Sequence, residues 1–80
     1  MARTALVTGA ASGIGKATAE TLTARGWSVI GADLHDADIE ADLTTIEGRR
    51  HLVDEARRLS GGTLDAVLAI AGLADPIATT

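Results

Sequence analysis

Residues 7–15, VTGAASGIG, place three glycines within seven positions, directly after the apolar run TALVT at 4–8. That run has the β-branched bias of a buried parallel strand, and a helical pattern follows the glycines. A strand that enters a helix through a glycine-rich turn leaves backbone N–H groups free at the positive end of the helix dipole. Glycines in such a turn can equally serve close helix packing, so this stretch alone leaves open a phosphate cradle and a plain structural turn.

The rest of the chain continues to alternate strand and helix patterns. After the first strand at 4–8, the predicted strands cover 27–32, about 39–41 and 64–71, and the predicted helices cover 13–25 and 45–59. We expect Gly26 to end the first helix in a left-handed conformation, and Ser60-Gly61-Gly62 to end the second. The pattern predicts one α/β unit that begins with a right-handed βαβ crossover.

The two predicted helices also have predicted caps and apolar faces. Ser12 is the expected cap of the first helix, and Thr44-Thr45-Ile46-Glu47 has the form of a capping box for the second. The positions expected to face the sheet are Ile14, Ala17, Thr21 and Leu22 in the first helix, and Ile46, Val53, Ala56 and Leu59 in the second. Both sets follow the spacing of an amphipathic helix.

Composition narrows the classes of function. A net charge of −4 disfavours nucleic acid and anionic membranes as partners, and the absence of cysteine excludes disulfides and thiolate metal sites. No apolar run reaches the length of a membrane span, and the N-terminus lacks a long apolar block, so we expect a cytoplasmic protein. His35 and His51 stand 16 residues apart without a third ligand at metal spacing, so we predict no metal site.

Asp33 shifts the balance between the two interpretations of the glycine turn. It follows the second predicted strand and comes 18 residues after Gly15. In a βαβ nucleotide-binding unit, the carboxyl end of that strand lies beside the adenosine ribose. A carboxylate there accepts hydrogen bonds from the 2′- and 3′-hydroxyls and repels a 2′-phosphate. The alternative is an ordinary solvated loop carboxylate, but the distance from the glycine turn favours ribose recognition.

Thr8-Gly9-Ala10-Ala11-Ser12-Gly13-Ile14-Gly15 resembles the TGxxxGxG segment of the short-chain dehydrogenases/reductases. Three further features resemble the family in the same order: Asp33, the pair Asp42-Leu43, and Ala71-Gly72 after the fourth strand. The resemblance covers the N-terminal part of the family's fold. It implies a Rossmann-type parallel sheet of about four strands in the order 3-2-1-4 with two helices, so that 1–80 form a partial dinucleotide-binding domain.

Within the family, the stretch GADLHDADIEADLTTIEGRR, 31–50, is most similar to the bacterial 3α-hydroxysteroid dehydrogenase/carbonyl reductase branch. In that branch, a short loop instead of a full helix joins the second and third strands. The resemblance therefore implies a short connection after Asp33.

The resemblance also implies roles for individual residues toward an NAD cofactor. The diphosphate is expected at Gly9, Ser12, Gly13, Ile14 and Gly15; the adenosine at Asp33, Leu34, Asp42 and Leu43; and the nicotinamide ribose at Ala71 and Gly72. Asp33 resembles the ribose carboxylate of NAD-preferring members. The basic residues of NADP-preferring members are missing, because positions 10–14 hold none and position 34 is Leu.

The sequence departs from the family in the residues that carry out catalysis. The family uses a Ser, a Tyr and a Lys, but this sequence has no Tyr, and its only Lys is Lys16. We therefore assign no catalytic residue. Ala69-Ile70-Ala71-Gly72 stands where the family often has Asn-Asn-Ala-Gly.

The implied function is the cofactor-binding portion of an enzyme that moves hydride between NAD(H) and a secondary alcohol or ketone. A non-catalytic nucleotide-binding module and a truncated remnant stay open as alternatives. We also expect a homo-oligomer, because the apolar fourth strand forms an edge of the predicted sheet.

Overall fold

The computed structural model describes residues 2–11 and 13–70. Its elements in chain order are the strand β1 (Thr4–Thr8), the helix α1 (Gly13–Ala24), the strands β2 (Ser28–Asp33) and β3 (Ile39–Glu40), the helix α2 (Ile46–Ser60) and the strand β4 (Ala66–Ala69). The four strands form one parallel sheet in the order β3-β2-β1-β4. This confirms the predicted fold class and strand order.

Half of the element bounds differ from the predicted ones by one residue. β2 begins and ends one residue later than predicted, so Asp33 is the last residue of the strand and Trp27 precedes it. Gly26 has a φ of 91°, the left-handed conformation expected after the first helix. The predicted fourth strand was too long: the described part of β4 has four residues, and the predicted end at Ala71 lies outside the described residues.

The two helices lie on opposite faces of the sheet. Leu6 of β1 pairs with Ile30 of β2, and both belong to the main hydrophobic core together with Ala56 of α2. Val7 and Gly31, one position further along each strand, point to the other face, where Gly31 lies near α1. Successive residues of a strand alternate between faces, and right-handed crossovers that step in opposite directions put their helices on opposite sides.

The predicted inward face of α2 was wrong at three of its four positions. Ala56 is buried, but Ile46 and Val53 are 58% and 54% exposed, and Leu59 is also exposed. The helix packs mainly on β2 and β3. It contacts this narrow surface through Ala56 and the half-buried Leu52, four residues apart, while Ile46 and Val53 lie further round the helix.

The predicted inward face of α1 was out of phase by one residue. Ile14, Ala17 and Thr21 are exposed, and of the predicted face only Leu22 is half-buried. The true contact face has the positions i, i+3, i+4 and i+7: Gly15, Thr18, Ala19 and Leu22. A hydropathy pattern misses this face because its most buried member is a glycine.

Gly15 allows α1 to approach the end of β1. A Cβ at this position would overlap the carbonyl oxygen and carbon of Gly9. Both overlapping atoms belong to the backbone, so a side-chain rotation cannot relieve the overlap. The approach of the helix to the turn therefore requires glycine at position 15.

We expect Gly15→Ala to lower the free energy of unfolding by about 1–3 kcal/mol, the usual cost of overpacking, although alanine stabilises an exposed helical site by about 1 kcal/mol relative to glycine. Urea denaturation followed by circular dichroism measures the difference. Lys16→Ala, at the next and exposed position, is the control and should have little effect. An equally stable Gly15→Ala protein would contradict the close approach.

β4 leaves an apolar edge in the described part of the fold. Within residues 2–11 and 13–70, it pairs with β1 alone. Its Val67 is 59% exposed, and Ala69 is exposed on the same face. An apolar edge strand is a surface on which another chain can pair.

Self-association through this edge should weaken in a Val67→Lys variant, because a charge on an edge strand opposes pairing with another chain. Sedimentation velocity over a range of concentrations measures it. Val53→Lys, at a similarly exposed valine on α2, is the matched control and should associate like the unmodified protein. A protein that stays monomeric at all concentrations would contradict the expectation.

No helix within residues 2–11 and 13–70 combines the length and the apolar character that a membrane span needs.

Candidate functional site

The glycine turn between β1 and α1 is tight on its inner side and open on its outer side. Gly9 and Gly13 have positive φ angles of 71° and 57°. A Cβ added at Gly13 would meet nothing within 4 Å. Because α1 begins at Gly13, the N–H groups of its first turn have no acceptor within the helix, and that turn carries no acidic residue. This geometry suits an anion.

Two alanines of the turn attach it to β2. The Ala10 N–H donates to the carbonyl oxygen of Ala32 over 3.2 Å, and the Ala11 N–H donates to Asp33 Oδ2 over 3.0 Å. Ala10 also packs against Gly31, where an added Cβ would lie 2.9 Å from the Ala10 Cβ. The turn is therefore held against the carboxyl end of β2 by hydrogen bonds and by close packing.

Asp33 has one backbone donor on each carboxylate oxygen. Oδ2 accepts from Ala11, and Oδ1 accepts from the Leu34 N–H over 2.7 Å. The residue is half-buried, whereas Leu34 is exposed. Two carboxylate oxygens offer about four acceptor positions, so this carboxylate keeps acceptor capacity for further donors. The bond to Ala11 is a feature that the spacing of the sequence did not reveal.

Two carboxylates accept hydrogen bonds from backbone N–H groups in and beside the connection between β2 and β3. Asp38 Oδ2 accepts from the Gly31 N–H over 2.8 Å, a strand donor that β3 leaves unpaired because it pairs only with Ala32 and Asp33. Glu40 Oε2 accepts from the Asp36 N–H over 3.0 Å. The alternating acidic pattern at 33–43 predicted a loop and a short strand, but not these bonds. They make the connection a short, ordered turn.

Asp42 follows β3 and is exposed. Its Oδ1 accepts from both the backbone N–H and the hydroxyl of Thr44, over 2.9 and 2.6 Å. These two hydrogen bonds lower the pKa of the Asp42 carboxyl, and the bond from the Thr44 hydroxyl has the larger effect. Leu43 is half-buried against the core, and its carbonyl oxygen accepts from Arg49 Nη1 over 3.3 Å.

The predicted capping box at 44–47 was wrong by one residue. Thr45 is the cap of α2, and its hydroxyl oxygen accepts from the Gly48 N–H over 2.9 Å. The cause is the bond between Thr44 and Asp42, which directs the Thr44 hydroxyl away from the helix. Sequence reasoning missed Thr44 because two adjacent threonines present the same capping signal.

The strand order brings most of the predicted site residues to one edge of the sheet. Gly9 follows β1, Asp33 ends β2 and Asp42 follows β3. All carboxyl ends of a parallel sheet lie at the same edge, which is where open α/β sheets bind ligands. The predicted site residues Ser12, Ala71 and Gly72 lie outside the described residues.

A groove of about 700 Å³ lies beside this edge, between α1 and the β2–β3 connection. Its lining includes Ala10, Ala19, Gly31 and Asp38, but none of the residues predicted to bind the cofactor. No group of three or more His, Cys, Asp or Glu residues suited to a metal occurs among residues 2–11 and 13–70.

Comparison with known protein families identifies the family to which these features belong. Residues 3–54 match the family described as short chain dehydrogenase. The chain belongs to the short-chain dehydrogenase family. The match includes the glycine turn, Asp33 and Asp42-Leu43, whereas Ala71-Gly72 lies beyond it.

Similar proteins in this family are dehydrogenases. The chain is 37% identical over 68 residues to the 3-alpha-hydroxysteroid dehydrogenase/carbonyl reductase of Comamonas testosteroni, with 85% of the chain and 26% of that protein covered. It is 41% identical over 90 aligned positions to the cis-4-hydroxycyclohexanecarboxylate dehydrogenase of Sinomonas cyclohexanicum, with 92% of the chain and 36% of that protein covered. The chain thus spans about a quarter to a third of the length of these relatives.

A solved structure resembles the fold closely. It is the 3-alpha-hydroxysteroid dehydrogenase from Pseudomonas sp. B-0831 complexed with NADH, with a TM-score of 0.79 and 47% sequence identity. The similarity covers 80% of this chain and 25% of that one. The short-chain dehydrogenase fold is therefore shared along most of the chain.

Asp33→Asn should loosen the glycine turn, because the carboxylate that accepts from both Ala11 and Leu34 is replaced by a group with a single acceptor oxygen. Amide hydrogen exchange measured by NMR should become faster at Ala11. Asp36→Asn removes a charge from the same connection and is the control. Unchanged protection of Ala11 in Asp33→Asn would show that its bond to the carboxylate does not hold the turn.

Proposed function

We propose that this chain is the cofactor-binding portion of an NAD-dependent oxidoreductase that acts on a secondary alcohol or ketone. The observation that carries the proposal is the position of Asp33, at the carboxyl end of β2 and in contact with the glycine turn. The Asp33 carboxylate thus lies next to the turn suited to a diphosphate. In this fold, the ribose of a dinucleotide lies at the same edge of the sheet.

The diphosphate would lie at the outer side of the glycine turn. Gly13 leaves open space where a side chain would project, and the free N–H groups of the first turn of α1 are donors for its oxygens. Because Gly9 and Gly15 have no Cβ, the diphosphate could come close to the backbone N–H groups of the turn. Ser12 and Ile14 complete the proposed set.

The adenosine would extend from Asp33 toward Asp42. Asp33 would accept from the ribose hydroxyls, with Leu34 packing near the adenine. Asp42 would accept from the adenine amino group beside the backbone of Leu43. Ala71 and Gly72, after β4, would line the nicotinamide ribose.

Charge supports NAD over NADP. Residues 26–48 contain six carboxylates and no Lys or Arg, and no basic residue occurs at 9–15. A 2′-phosphate at the ribose would therefore meet the Asp33 carboxylate, and neither of these two stretches supplies a cation to offset the repulsion.

The reaction proposed for the whole enzyme is hydride transfer, and the hydride chemistry belongs to the cofactor. The residues proposed here bind and orient the cofactor, and no general acid or base is assigned among them. The names of the relatives, a hydroxysteroid and a hydroxycyclohexanecarboxylate dehydrogenase, support a ring-borne secondary alcohol as the substrate class.

Calorimetric titration with NAD and with NADP tests the cofactor. We expect the unmodified chain to bind NAD more tightly. Asp33→Ala should narrow the difference, because it removes the charge that repels a 2′-phosphate, and Leu34→Arg should move the preference further toward NADP. The ratio of the two dissociation constants is the quantity to compare, since Asp33→Ala also loosens the turn.

Asp36→Asn removes one charge from the same connection without touching Asp33, and should leave most of the preference in place. Equal or tighter binding of NADP by the unmodified chain would overturn the proposed preference. Absence of binding to both dinucleotides would overturn the proposed function of the chain.

A further inference from the structure

We propose that Thr44 is a positioning residue that holds the Asp42 carboxylate for recognition of a purine amino group. The inference rests on the proposed function, in which Asp42 contacts the adenine. It extends that function by adding a residue that does not itself touch the cofactor.

The geometry at Asp42 divides its two carboxylate oxygens between two tasks. Both donors of Thr44 converge on Oδ1, the hydroxyl over 2.6 Å and the backbone N–H over 2.9 Å. Oδ2 has no protein donor within residues 2–11 and 13–70, and the residue is exposed. One oxygen therefore holds the side chain in place, and the other is available to a ligand.

The backbone of Asp42 is held as well. Its carbonyl oxygen accepts from the Thr45 N–H over 3.2 Å and from the Thr45 hydroxyl over 3.0 Å. Gly48 lies so close to this carbonyl that an added Cβ would overlap it. Hydrogen bonds therefore hold both the main chain of Asp42 and its Oδ1.

The adjacent threonines make this arrangement possible. Thr45 caps α2, so the helix does not need the hydroxyl of Thr44. Thr44 is exposed, and its side chain forms no other hydrogen bond among the described residues. Its hydroxyl therefore serves the carboxylate and not the helix.

The pKa of the Asp42 carboxyl responds to the same two contacts. The hydroxyl of Thr44 is the largest cause of the lowered pKa of this carboxyl, ahead of the Thr44 backbone N–H. A charged carboxylate is an acceptor only. It favours the amino group of adenine and disfavours a purine with a carbonyl oxygen at the same ring position, because two acceptors would then face each other.

The experiment compares binding of NAD with binding of nicotinamide hypoxanthine dinucleotide, in which a carbonyl replaces the adenine amino group. The proteins are the unmodified chain, Thr44→Val, Thr44→Ser, Asp42→Ala, and Thr63→Val as an exposed threonine outside the site. We expect the unmodified chain, Thr44→Ser and Thr63→Val to prefer NAD. Thr44→Val should reduce the preference about threefold or more, in line with the loss of one hydrogen bond, and Asp42→Ala should abolish it.

The outcomes separate the inference from the function on which it rests. If Asp42→Ala leaves the preference intact, the proposed adenine contact fails. If Asp42→Ala removes the preference but Thr44→Val weakens both dinucleotides equally or neither, Thr44 has at most a structural role and the inference fails. Failure of the unmodified chain to bind either dinucleotide would overturn both.

A second measurement does not depend on binding. Carbon NMR titration should give a higher pKa for the Asp42 carboxyl in Thr44→Val than in the unmodified chain, with Thr44→Ser close to the unmodified value. The lowered pKa means that the carboxylate persists further into acid, so Thr44→Val should lose the charge at a higher pH. An identical pKa in the two proteins would overturn the inference.

Discussion

The close approach of Gly15 to the carbonyl group of Gly9 is the constraint on which the arrangement of the site depends. It brings the first turn of α1 against the end of β1, so that the free N–H groups of the helix open at the edge of the sheet. Ala10 then reaches β2 and packs on Gly31, and Ala11 reaches the Asp33 carboxylate. A larger residue at position 15 would move the turn and separate these partners.

The order of elements was predictable, whereas the helix faces were not. Strand and helix patterns, punctuated by Gly26 and Gly61-Gly62, placed six elements near their true positions, and the resemblance to the family supplied the strand order. Hydropathy failed for α1 because the helix contacts the sheet through Gly15 and Ala19, which are small residues with a weak apolar signal. It failed for α2 because a helix on a narrow surface buries one stripe, which leaves Ile46 and Val53 exposed.

At the site, residue types and spacing led to Gly9, Asp33 and Asp42, since the carboxyl ends of parallel strands must meet at one edge. The hydrogen bonds between them could not be derived in the same way. Whether Thr44 or Thr45 caps α2 depends on which hydroxyl donates to the Asp42 carboxylate, and that choice is set in three dimensions. The role of Asp38 likewise depends on β3 being too short to pair with Gly31.

The shortness of the β2–β3 connection has a consequence for how such domains diversify. The sheet pairs Ala32 with Ile39, so the connection is anchored at both ends, while residues 34–36 at its tip are exposed. The groove beside α1 borders this tip through Asp36 and Ala37. Each doubling of loop length costs only about 0.6 kcal/mol in closure entropy. An insertion at this tip could thus lengthen the connection and fill the groove, while Asp33 and the glycine turn keep their geometry.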